Sequence, residues 1–321
     1  MDKKIAVIGG SGFIGSHTVS ELVRRGYKPT IIDIAPPTRP IDLYWSSISN
    51  KPEPLISYIK ADITKLDEIS EALEGFDVAY MLAAVSDASL VEKDPELGLN
   101  TNINGLSNVL LACVKNNLER IIFSSSVWVY TSAKNKSVNE KTSIPANNKS
   151  HIYTSSKIIG ENLIRSFNEM YGLNYTILRY GVAYGPGENE STAISSFIKR
   201  SLNGEPITIF GEGNSARSFL YVKDHAKGNA MALSEKAKNQ TINLDGMQKT
   251  TIKEVAEIIS ELSDEDIEII HEPSINAEYK GKDVSINKAK DLLGWEPSTS
   301  LKEGLRKHYE WQSFSNSASR R

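Results

Sequence analysis

Tyr153 and Lys157 are the first residues whose types and spacing suggest chemistry, because they stand four positions apart in a stretch with helical periodicity. At that spacing both side chains lie on one face of a helix. A tyrosine has an ordinary pKa of about 10, so it becomes a base near neutral pH only if its phenolate is stabilised by roughly 4 kcal/mol. The Lys157 cation, one turn away, would supply part of that stabilisation. The pair predicts proton exchange with a hydroxyl group, although the same spacing also occurs on solvated helix faces.

Three consecutive serines, Ser124 to Ser126, directly follow the apolar run Ile121–Phe123. The run predicts a buried strand, and open α/β sheets bind ligands at the carboxyl ends of their strands. A serine at that place can hydrogen-bond a substrate hydroxyl and help to relay its proton. We therefore expect these serines to lie near Tyr153, the alternative being an ordinary polar loop.

A glycine-rich turn follows the first apolar run, Ile5–Ile8. Gly9, Gly12 and Gly15 recur at every third position. Glycine permits backbone dihedrals closed to other residues and lets the main chain approach a ligand closely. The residues from Ser16 to Arg25 have an apolar helical face, so the turn leads into a helix. The N-terminus of such a helix is a good binding place for a pyrophosphate.

The next apolar pair, Ile31 and Ile32, ends in Asp33. Strand, glycine turn, helix, strand and acid stand in the order of a dinucleotide-binding unit, in which the carboxylate binds the adenosine ribose. Asp33 would repel a 2′-phosphate, so the expected cofactor is NAD. Three glycines alone would be weak evidence, since any tight turn can use them, and it is the ordered set that carries the prediction.

Apolar strand patterns alternate with helical patterns along the first half of the chain. This alternation predicts an α/β fold, a Rossmann-type doubly wound parallel sheet with helices on both faces. The predicted strands are Ile5–Ile8, Thr30–Asp33, Ile56–Ile59, Val78–Leu82, Arg120–Ser124 and Tyr175–Arg179, and long helices are predicted over Asn100–Asn116 and Tyr153–Tyr171. The proline- and serine-rich stretch 36–54 predicts a loop, with a short helix over Ile41–Trp45.

The alternation weakens after Gly185–Gly187. We predict a smaller C-terminal α/β lobe, formed by residues 181–214 and 248–312, that binds the substrate. The NAD-binding domain then comprises residues 1–180 with a return segment at about 215–247, and the tail 313–321 is expected to fray. The predicted helices of this half are Ala193–Leu202, Lys223–Leu233, Thr251–Leu262 and Ile286–Leu293, and its predicted strands are Ile207–Phe210, Phe219–Val222 and Thr241–Leu244.

The bulk composition is ordinary for a globular protein: 321 residues, 40% hydrophobic and 24% charged, with a net charge of −3. That charge gives no reason to expect nucleic acid or an anionic membrane as a partner. No stretch approaches the roughly 18 apolar residues of a membrane span. The single cysteine, Cys113, lies in an apolar helical stretch and suits a reducing compartment, so a cytoplasmic location is expected. The five histidines lack ligand spacing, and no metal site is predicted.

Taken together, these motifs resemble the extended short-chain dehydrogenase/reductase superfamily, in its NAD-dependent nucleotide-sugar epimerase/dehydratase branch. The resemblance extends from residue 4 to about residue 311. Besides the motifs above, it rests on Asp62 and Ile63, Leu82–Ala84, Asn102–Gly105, Val127–Tyr130, Leu178–Tyr180, Tyr184–Pro186, Phe210–Gly213 with Arg217, Tyr221–Asp224 and Leu293–Pro297.

The resemblance implies that Tyr153 is the general base and acid, that Lys157 lowers its pKa and holds the nicotinamide ribose, and that Ser126 contacts the sugar hydroxyl. The residues it implies for NAD binding are Gly9, Gly12, Phe13, Ile14, Gly15, Asp33, Asp62, Ile63, Leu82, Ala83, Ala84, Asn102, Ser124, Tyr153 and Lys157. For Asp62 the residues alone leave open a simple helix cap.

The expected substrate is a nucleotide sugar with UDP as its nucleotide, and the implied substrate contacts are Ser86, Ser126, Tyr153, Arg217 and Lys280. Arg217 would grip the diphosphate, a role that its fork of donors suits. The resemblance also implies a homodimer formed through the helices at about 100–116 and 153–171.

Several positions depart from the usual pattern of this family. Val182 replaces an asparagine that commonly touches the substrate, Lys280 replaces a phosphate-binding arginine, and Thr131 replaces a glycine. The 4,6-dehydratases, and many decarboxylases, carry an acidic residue beside the catalytic serine or threonine. This chain has Val127 and Trp128 there.

The expected activity is therefore that of an NAD-dependent epimerase that inverts C4 of the sugar through a transient 4-keto intermediate. Other activities stay open: a 4,6-dehydratase, a decarboxylase or a net oxidoreductase on a similar substrate, or a non-catalytic protein that senses the dinucleotide. The intact set of Ser126, Tyr153 and Lys157 argues against the non-catalytic protein.

Overall fold

A computed structural model describes residues 3–37, 56–145, 151–273 and 281–319 of the chain. Its strands are β1 (Ile5–Ile8), β2 (Thr30–Asp33), β3 (Ser57–Lys60), β4 (Val78–Met81), β5 (Arg120–Ser126), β6 (Ser137–Val138), β7 (Asn174–Tyr180), β8 (Val182–Tyr184), β9 (Ile207–Phe210), β10 (Ala216–Tyr221), β11 (Gln240–Leu244), β12 (Lys249–Thr251), β13 (Ile269–Glu272) and β14 (Asp283–Val284). The predicted helix at Ile41–Trp45 and the predicted site residue Lys280 lie outside the described residues.

The helices are α1 (Phe13–Arg24), α2 (Leu66–Ala72), α3 (Ala88–Lys93), α4 (Pro95–Leu99), α5 (Leu106–Lys115), α6 (Ile152–Tyr171), α7 (Ala193–Leu202), α8 (Val222–Met231), α9 (Ile252–Ser260), α10 (Asn287–Leu293) and α11 (Leu301–Ser319). A π-helical turn at Asn100–Gly105 precedes α5, and 3₁₀ turns occupy Val127–Tyr130 and Glu235–Ala237. In the part of the chain that the structure describes, no helix combines the length and the apolar character needed to cross a membrane.

Seven strands form one parallel sheet, in the spatial order β3-β2-β1-β4-β5-β7-β11. The chain runs outward from β1 in one direction and then crosses back to continue on the other side, so the strand order reverses between β1 and β4. Open α/β sheets bind ligands at the carboxyl ends of the strands beside such a reversal. The predicted Rossmann-type doubly wound sheet is confirmed.

Every residue of β1, β4 and β5 is buried, as expected for strands that are covered on both faces. On one face the sheet packs against α2, α5 and α6 through residues such as Leu106, Phe123 and Ile164. On the other face, α1, α8 and α10 contribute residues such as Leu22 and Ala289, and Trp295, just after α10, belongs to the same core. Burial of this apolar surface, worth about 25 cal/mol per Å², holds the carboxyl edge of the sheet in a fixed shape.

The C-terminal lobe contains a three-stranded sheet, β12-β10-β8, and a parallel pair of strands, β9 and β13. Its core lies between α7, α9 and α11 and includes Tyr184, Phe197, Ile259 and Leu305. Thr251 caps α9 through a capping box with Glu254, in agreement with the predicted helix start.

The segment 215–247, expected to return to the cofactor domain, divides between the two halves of the molecule. β11 pairs with β7 at the edge of the main sheet. Asn229 of α8 donates to Thr18 Oγ1 of α1 and accepts a hydrogen bond from the Tyr80 hydroxyl of β4. β10 instead belongs to the small sheet of the lobe, where it pairs with β8 and β12.

Two helix ends differ from the sequence expectation. α1 begins at Phe13 rather than Ser16, because Gly12 occupies the N-cap position and the glycine turn runs directly into the helix. The tail expected to fray from residue 313 instead continues α11 as far as Ser319. Gln312 is buried beside this segment and donates to the backbone carbonyl of Ser195, which anchors the helix to the lobe.

Candidate active site

Ser126 and Tyr153 meet at the carboxyl edge of the main sheet. Ser126 is the last residue of β5, and Tyr153 lies in the first turn of α6. The two hydroxyl groups share a hydrogen bond. The structure thus brings together two residues whose contact the sequence predicts only loosely, and a substrate hydroxyl in reach of both could exchange its proton with them.

Lys157 follows Tyr153 by one helical turn and is buried. Its Nζ donates a hydrogen bond of 2.8 Å to the backbone carbonyl of Ser124. The same nitrogen lies 5.6 Å from the centroid of the Tyr153 ring and 5.0 Å from that of Phe123. Burial lowers the pKa of Lys157 to about 8, so the ammonium still predominates at neutral pH.

Burial is the largest influence on the pKa of Tyr153. Part of the side chain is accessible, but the hydroxyl has enclosed surroundings, and this burial raises the pKa to about 12. The hydrogen bond with Ser126 acts the other way without outweighing the burial. The lowering expected from Lys157 together with the nicotinamide ring stays a prediction, because a phenolate in these surroundings needs positive charge beside the ring in addition to Lys157.

A buried ion pair that the sequence analysis missed stands behind the serines. Glu161 of α6 accepts hydrogen bonds of 2.8 and 2.7 Å from Arg179 of β7, and one of 2.6 Å from the Ser125 hydroxyl. Burial alone would raise the pKa of Glu161, but the hydrogen bonds and charge of Arg179 outweigh it and keep this pKa below its usual value. Arg179 also donates to the Tyr130 hydroxyl. The network fixes α6 against β5 and β7, so it holds the first turn of the helix in place.

The glycine turn after β1 is close-packed main chain. Gly9 has a φ of +83°, and a Cβ atom there would lie 2.5 Å from the backbone nitrogen of Ala83. A Cβ at Gly15 would lie 2.0 Å from the carbonyl oxygen of Gly9. Gly12 is exposed at the N-cap of α1, and the first turn of that helix carries no acidic residue. Phe13 is the first residue of this helix. Because the N-cap is exposed and the first turn carries no negative charge, the helix N-terminus is open to an anion.

Asp33 ends β2 beside this turn. Its Oδ2 accepts a hydrogen bond of 3.0 Å from the backbone N–H of Ser11, and its Oδ1 accepts a longer one of 3.4 Å from Ala35. The carboxylate is half-buried and directly linked to the glycine turn. This is the position in which it could accept hydrogen bonds from a ribose.

The segment after β4, Leu82–Ala84, closes the other side of the turn. The backbone N–H groups of Leu82 and Ala83 both donate to the carbonyl of Ile8. Asn102 holds the continuation of this segment, since its Oδ1 accepts from the Val85 N–H at 2.8 Å and its Nδ2 donates to the Val85 carbonyl at 3.0 Å. Asn102 therefore uses its amide to position the loop.

Asp62 makes a local turn rather than a helix cap. Its Oδ1 accepts hydrogen bonds from the backbone N–H and the hydroxyl of Thr64, whereas Lys65 occupies the N-cap of α2. Ile63 is buried, and a Cβ added at Gly105 would come within 2.7 Å of its Cδ1. These contacts give Asp62 and Ile63 structural roles. A contact between either residue and the nucleotide stays a prediction.

Arg217 and Trp128 lie side by side at the mouth of the site. The guanidinium carbon of Arg217, in β10, is 5.6 Å from the centroid of the Trp128 ring. Both side chains are half-buried. Ser86 is exposed in the loop that leads to α3. Within the described residues, no three His, Cys, Asp or Glu side chains come together as a possible metal-ligand set.

Comparison with known proteins identifies the family to which this sequence is similar. The sequence model of the NAD dependent epimerase/dehydratase family matches residues 5–245 of the chain. A putative UDP-glucose 4-epimerase of Methanocaldococcus jannaschii is 33% identical over 319 residues, which cover 97% of this chain and 99% of that protein.

Two solved structures have the same fold over nearly their whole length. UDP-glucose 4-epimerase of Thermotoga maritima, solved with UDP-glucose, superposes with a TM-score of 0.87 at 28% identity and covers 98% of this chain and 99% of its own. UDP-glucuronic acid 4-epimerase of Bacillus cereus, solved with UDP-glucuronic acid and NAD, superposes with a TM-score of 0.84 at 30% identity. That match covers 96% of this chain and 98% of the other.

Proposed function

Because this chain belongs to the NAD dependent epimerase/dehydratase family, we propose that it is an NAD-dependent epimerase that inverts C4 of a UDP-sugar through a transient 4-keto sugar. The observation that carries this proposal is the hydrogen-bonded pair of Ser126 and Tyr153, with the buried Lys157 one turn away, beside the glycine turn. Family membership alone would allow several reactions. This pair specifies proton exchange with a hydroxyl group as a step of the reaction.

The residues at the sheet edge fit a dinucleotide. Gly9 and Gly15 allow the close-packed turn in which Cβ atoms would clash with the backbone, and the N-terminus of α1, which follows that turn, lacks acidic residues that would repel a pyrophosphate. Asp33 would hold the adenosine ribose and Lys157 the nicotinamide ribose. Bound NAD supplies a hydride acceptor and donor together with a positively charged ring, the further charge that a Tyr153 phenolate requires.

Ser126 and Tyr153 would perform the proton chemistry. In the first half-reaction the Tyr153 oxygen takes the proton of the C4 hydroxyl, directly or through the Ser126 hydroxyl to which it is hydrogen-bonded. In the second half-reaction the same oxygen returns the proton to the inverted alkoxide. Arg217 would hold the diphosphate, so that the sugar can turn while the nucleotide stays in place.

The dehydratase alternative requires a second group that takes a proton from the sugar, and the decarboxylase alternative requires one that donates a proton to the enolate left by carbon dioxide. The side chains that follow Ser126, Val127 and Trp128, cannot take up a proton. The carboxylate closest along the network, Glu161, is committed to Arg179 and Ser125 behind the site. Epimerisation needs only the one proton exchange that Tyr153 provides, so it fits these residues better.

The test is to incubate the purified protein with UDP-glucose, UDP-glucuronate and UDP-N-acetylglucosamine without added NAD, and to record mass spectra and proton NMR spectra. We expect a C4-inverted product of unchanged mass, because the cofactor is regenerated in each cycle. Loss of water or carbon dioxide would replace the epimerase by a dehydratase or decarboxylase. No change with any donor would overturn the proposal for UDP-sugars.

We also propose a homodimer formed through α5 and α6. Leu111 and Ile159 are exposed apolar residues on these helices, and Met170 and Tyr171 extend the exposed surface at the end of α6. Apolar patches of this kind mark interfaces in many proteins.

We also propose a cytoplasmic location, which the single cysteine of the chain supports. Cys113 is buried, and this burial raises the pKa of its thiol to about 12, so the side chain serves packing.

A further inference from the structure

Four side chains form a continuous row from the mouth of the site to the catalytic helix. The Trp128 ring lies 5.6 Å from the guanidinium carbon of Arg217 on one side and 5.1 Å from the imidazole centroid of His151 on the other. His151 in turn lies 6.2 Å from the Tyr153 ring. Trp128 is half-buried, so it packs against these neighbours while retaining accessible surface. Trp128 thus contacts Arg217, at one end of the row, and reaches Tyr153, at the other end, through His151.

His151 connects this row to the backbone of the catalytic helix. It occupies the N-cap of α6, and its Nδ1 accepts a hydrogen bond of 3.4 Å from the backbone N–H of Thr154. The Thr154 hydroxyl lies 3.1 Å from the same nitrogen. Burial lowers the pKa of His151, which keeps this nitrogen available as an acceptor at neutral pH. The place of the imidazole therefore sets the first helical turn, which carries Tyr153.

We propose that Trp128 is a substrate-positioning residue that fixes the distance between Arg217 and Tyr153. This inference rests on the proposed function, in which Arg217 holds the diphosphate and Tyr153 exchanges the C4 proton. A pyranose is rigid, and its C1 bears the diphosphate while its C4 bears the reacting hydroxyl. The two protein groups that bind these ends must consequently keep one separation, because errors of about 1 Å cost on the order of 100-fold in rate.

The chemistry of the indole suits this task. A cation–π contact engages the face of the guanidinium and leaves its N–H donors pointing outward in the plane. The flat ring holds the imidazole on its other side without introducing a charge that would compete for the diphosphate. The Trp128 ring lies between Arg217 and His151 and is only half-buried, so it would form an apolar wall of the sugar site.

The experiment compares Trp128→Ala, Trp128→Phe and the wild type in steady-state epimerisation of the UDP-sugar that the wild type accepts. For W128A we expect about tenfold higher KM together with about tenfold lower kcat, since both ends of the row lose their support. W128F keeps a ring and should restore most of both parameters. NAD retention should be equal in all three proteins, because Trp128 is not among the residues that we assign to NAD.

A second readout does not depend on turnover. Addition of UDP alone should quench tryptophan fluorescence in the wild type, and this change should be largely absent in W128F if the indole lies beside the bound diphosphate. In an Arg217→Met background, W128A should raise KM little further, because the two side chains act through one contact. Trp295→Phe is the control for the fluorescence and should keep the quench. Trp295 is buried in the core between the main sheet and helices α1, α8 and α10, and it donates to the backbone carbonyl of Asp224.

Unchanged kinetics of W128A in an active wild-type background would overturn the positioning role and leave the epimerase assignment intact. A quench that persists in W128F would also overturn it. An inactive wild type would instead remove the proposed function on which this inference depends. If W128A lost kcat alone and kept its affinity for UDP, Trp128 would support only His151 and not Arg217. That result would likewise contradict the proposal.

Discussion

Lys157 is tied by its Nζ to the backbone carbonyl of Ser124, 2.8 Å away, two residues before Ser126. The lysine is thus oriented by the strand that carries Ser126 and not by the tyrosine one turn before it. Its charge reaches the Tyr153 ring from 5.6 Å, over a distance fixed by β5 and α6. The ammonium therefore contributes a field at the phenol without bonding to it.

The first prediction concerns the alkaline limit of activity. Burial lowers the pKa of Lys157 to about 8, so this side chain loses its charge as the pH rises through that value. We expect kcat/KM to fall above pH 8, measured from pH 6 to 10. In Lys157→Arg the guanidinium stays protonated, so the alkaline fall should disappear even though the maximal rate is lower. An alkaline limb of equal pKa in K157R would show that another group controls it.

The second prediction is that Tyr153→Phe abolishes turnover while sparing the cofactor. The phenol is the proposed proton carrier, and loss of general acid–base catalysis costs about 10²- to 10⁴-fold in rate. Turnover is followed by NMR and bound NAD by release after denaturation. The matched control is Tyr171→Phe, which changes the exposed last residue of the same helix and should retain full activity. Substantial activity in Y153F would remove Tyr153 from its role.

The third prediction separates Asn102 from direct ligand contact. Its amide oxygen and nitrogen both bond to the backbone of Val85, so Asn102→Leu leaves that half-buried loop unsupported. We expect NAD affinity to fall by about 10-fold or more, since each lost hydrogen bond is worth about 1 kcal/mol. Binding is measured by calorimetry on cofactor-depleted protein. Asn104→Leu is the control, because the exposed Asn104 side chain donates to Asn100 and makes no bond to Val85. Equal affinity in both variants would contradict the positioning role.

The fourth prediction concerns a buried carboxyl group in the lobe. Glu188 Oε2 lies 3.7 Å from His308 Nδ1, and both side chains are buried. Burial raises the pKa of Glu188 to about 8 and lowers that of His308 to about 3, so near neutral pH the pair is predominantly uncharged. A raised carboxyl pKa contributes stability that is fully present below the unfolded pKa and is lost as the pH rises towards 8.

Glu188→Gln cannot ionise, so its unfolding free energy relative to the wild type should rise between pH 5 and pH 8. The upper limit is about 1.4 kcal/mol for each pH unit in that interval. Urea unfolding at each pH measures the difference. Glu190→Gln, which changes an exposed ion pair with Lys199 nearby, should give curves that stay parallel to the wild type. Parallel curves for E188Q as well would refute the raised pKa.

The fifth prediction tests the dimer. A charge placed on an apolar interface is expensive to bury, so Ile159→Arg on α6 should convert the dimer to monomers. Size-exclusion chromatography with light scattering gives the mass directly. Phe314→Arg, which changes an exposed apolar residue on the separate helix α11, should remain dimeric. A wild type that is monomeric at micromolar concentration would end the proposal.

The sequence predicts well those features that depend on local patterns. Ile5–Ile8 and Arg120–Ser126 are buried strands because their residues are continuously apolar or small, and parallel strands covered on both faces need that composition. The glycine turn was likewise predictable, because the conformation of Gly9 and the close contact at Gly15 exclude other residue types. The proximity of Ser126 and Tyr153 could also be predicted, because Ser126 ends a buried strand and Tyr153 lies at the start of a helix at the same edge of the sheet.

The contacts that the sequence does not predict depend on how strands far apart in the chain align with each other. Ser125 and Arg179 stand opposite each other in neighbouring strands, and that pairing places both on Glu161. No spacing along the chain reveals it. The assignment of β10 to the small sheet is similar, since Phe219–Tyr221 is apolar enough for either sheet and its partners β8 and β12 decide. The pKa of Tyr153 depends on enclosure in three dimensions, which no motif encodes.

The strand β11 and the helix α8 complete a nucleotide-binding unit whose other strands all precede residue 181. During synthesis, the chain up to Tyr180 therefore presents β7 as an open edge, and Thr18 and Tyr80 still lack their partner Asn229. Unpaired edges of this kind associate with other chains. A gene cut at the apparent domain boundary would consequently yield an aggregating fragment, and the two halves of this molecule must be made, and inherited, as one piece.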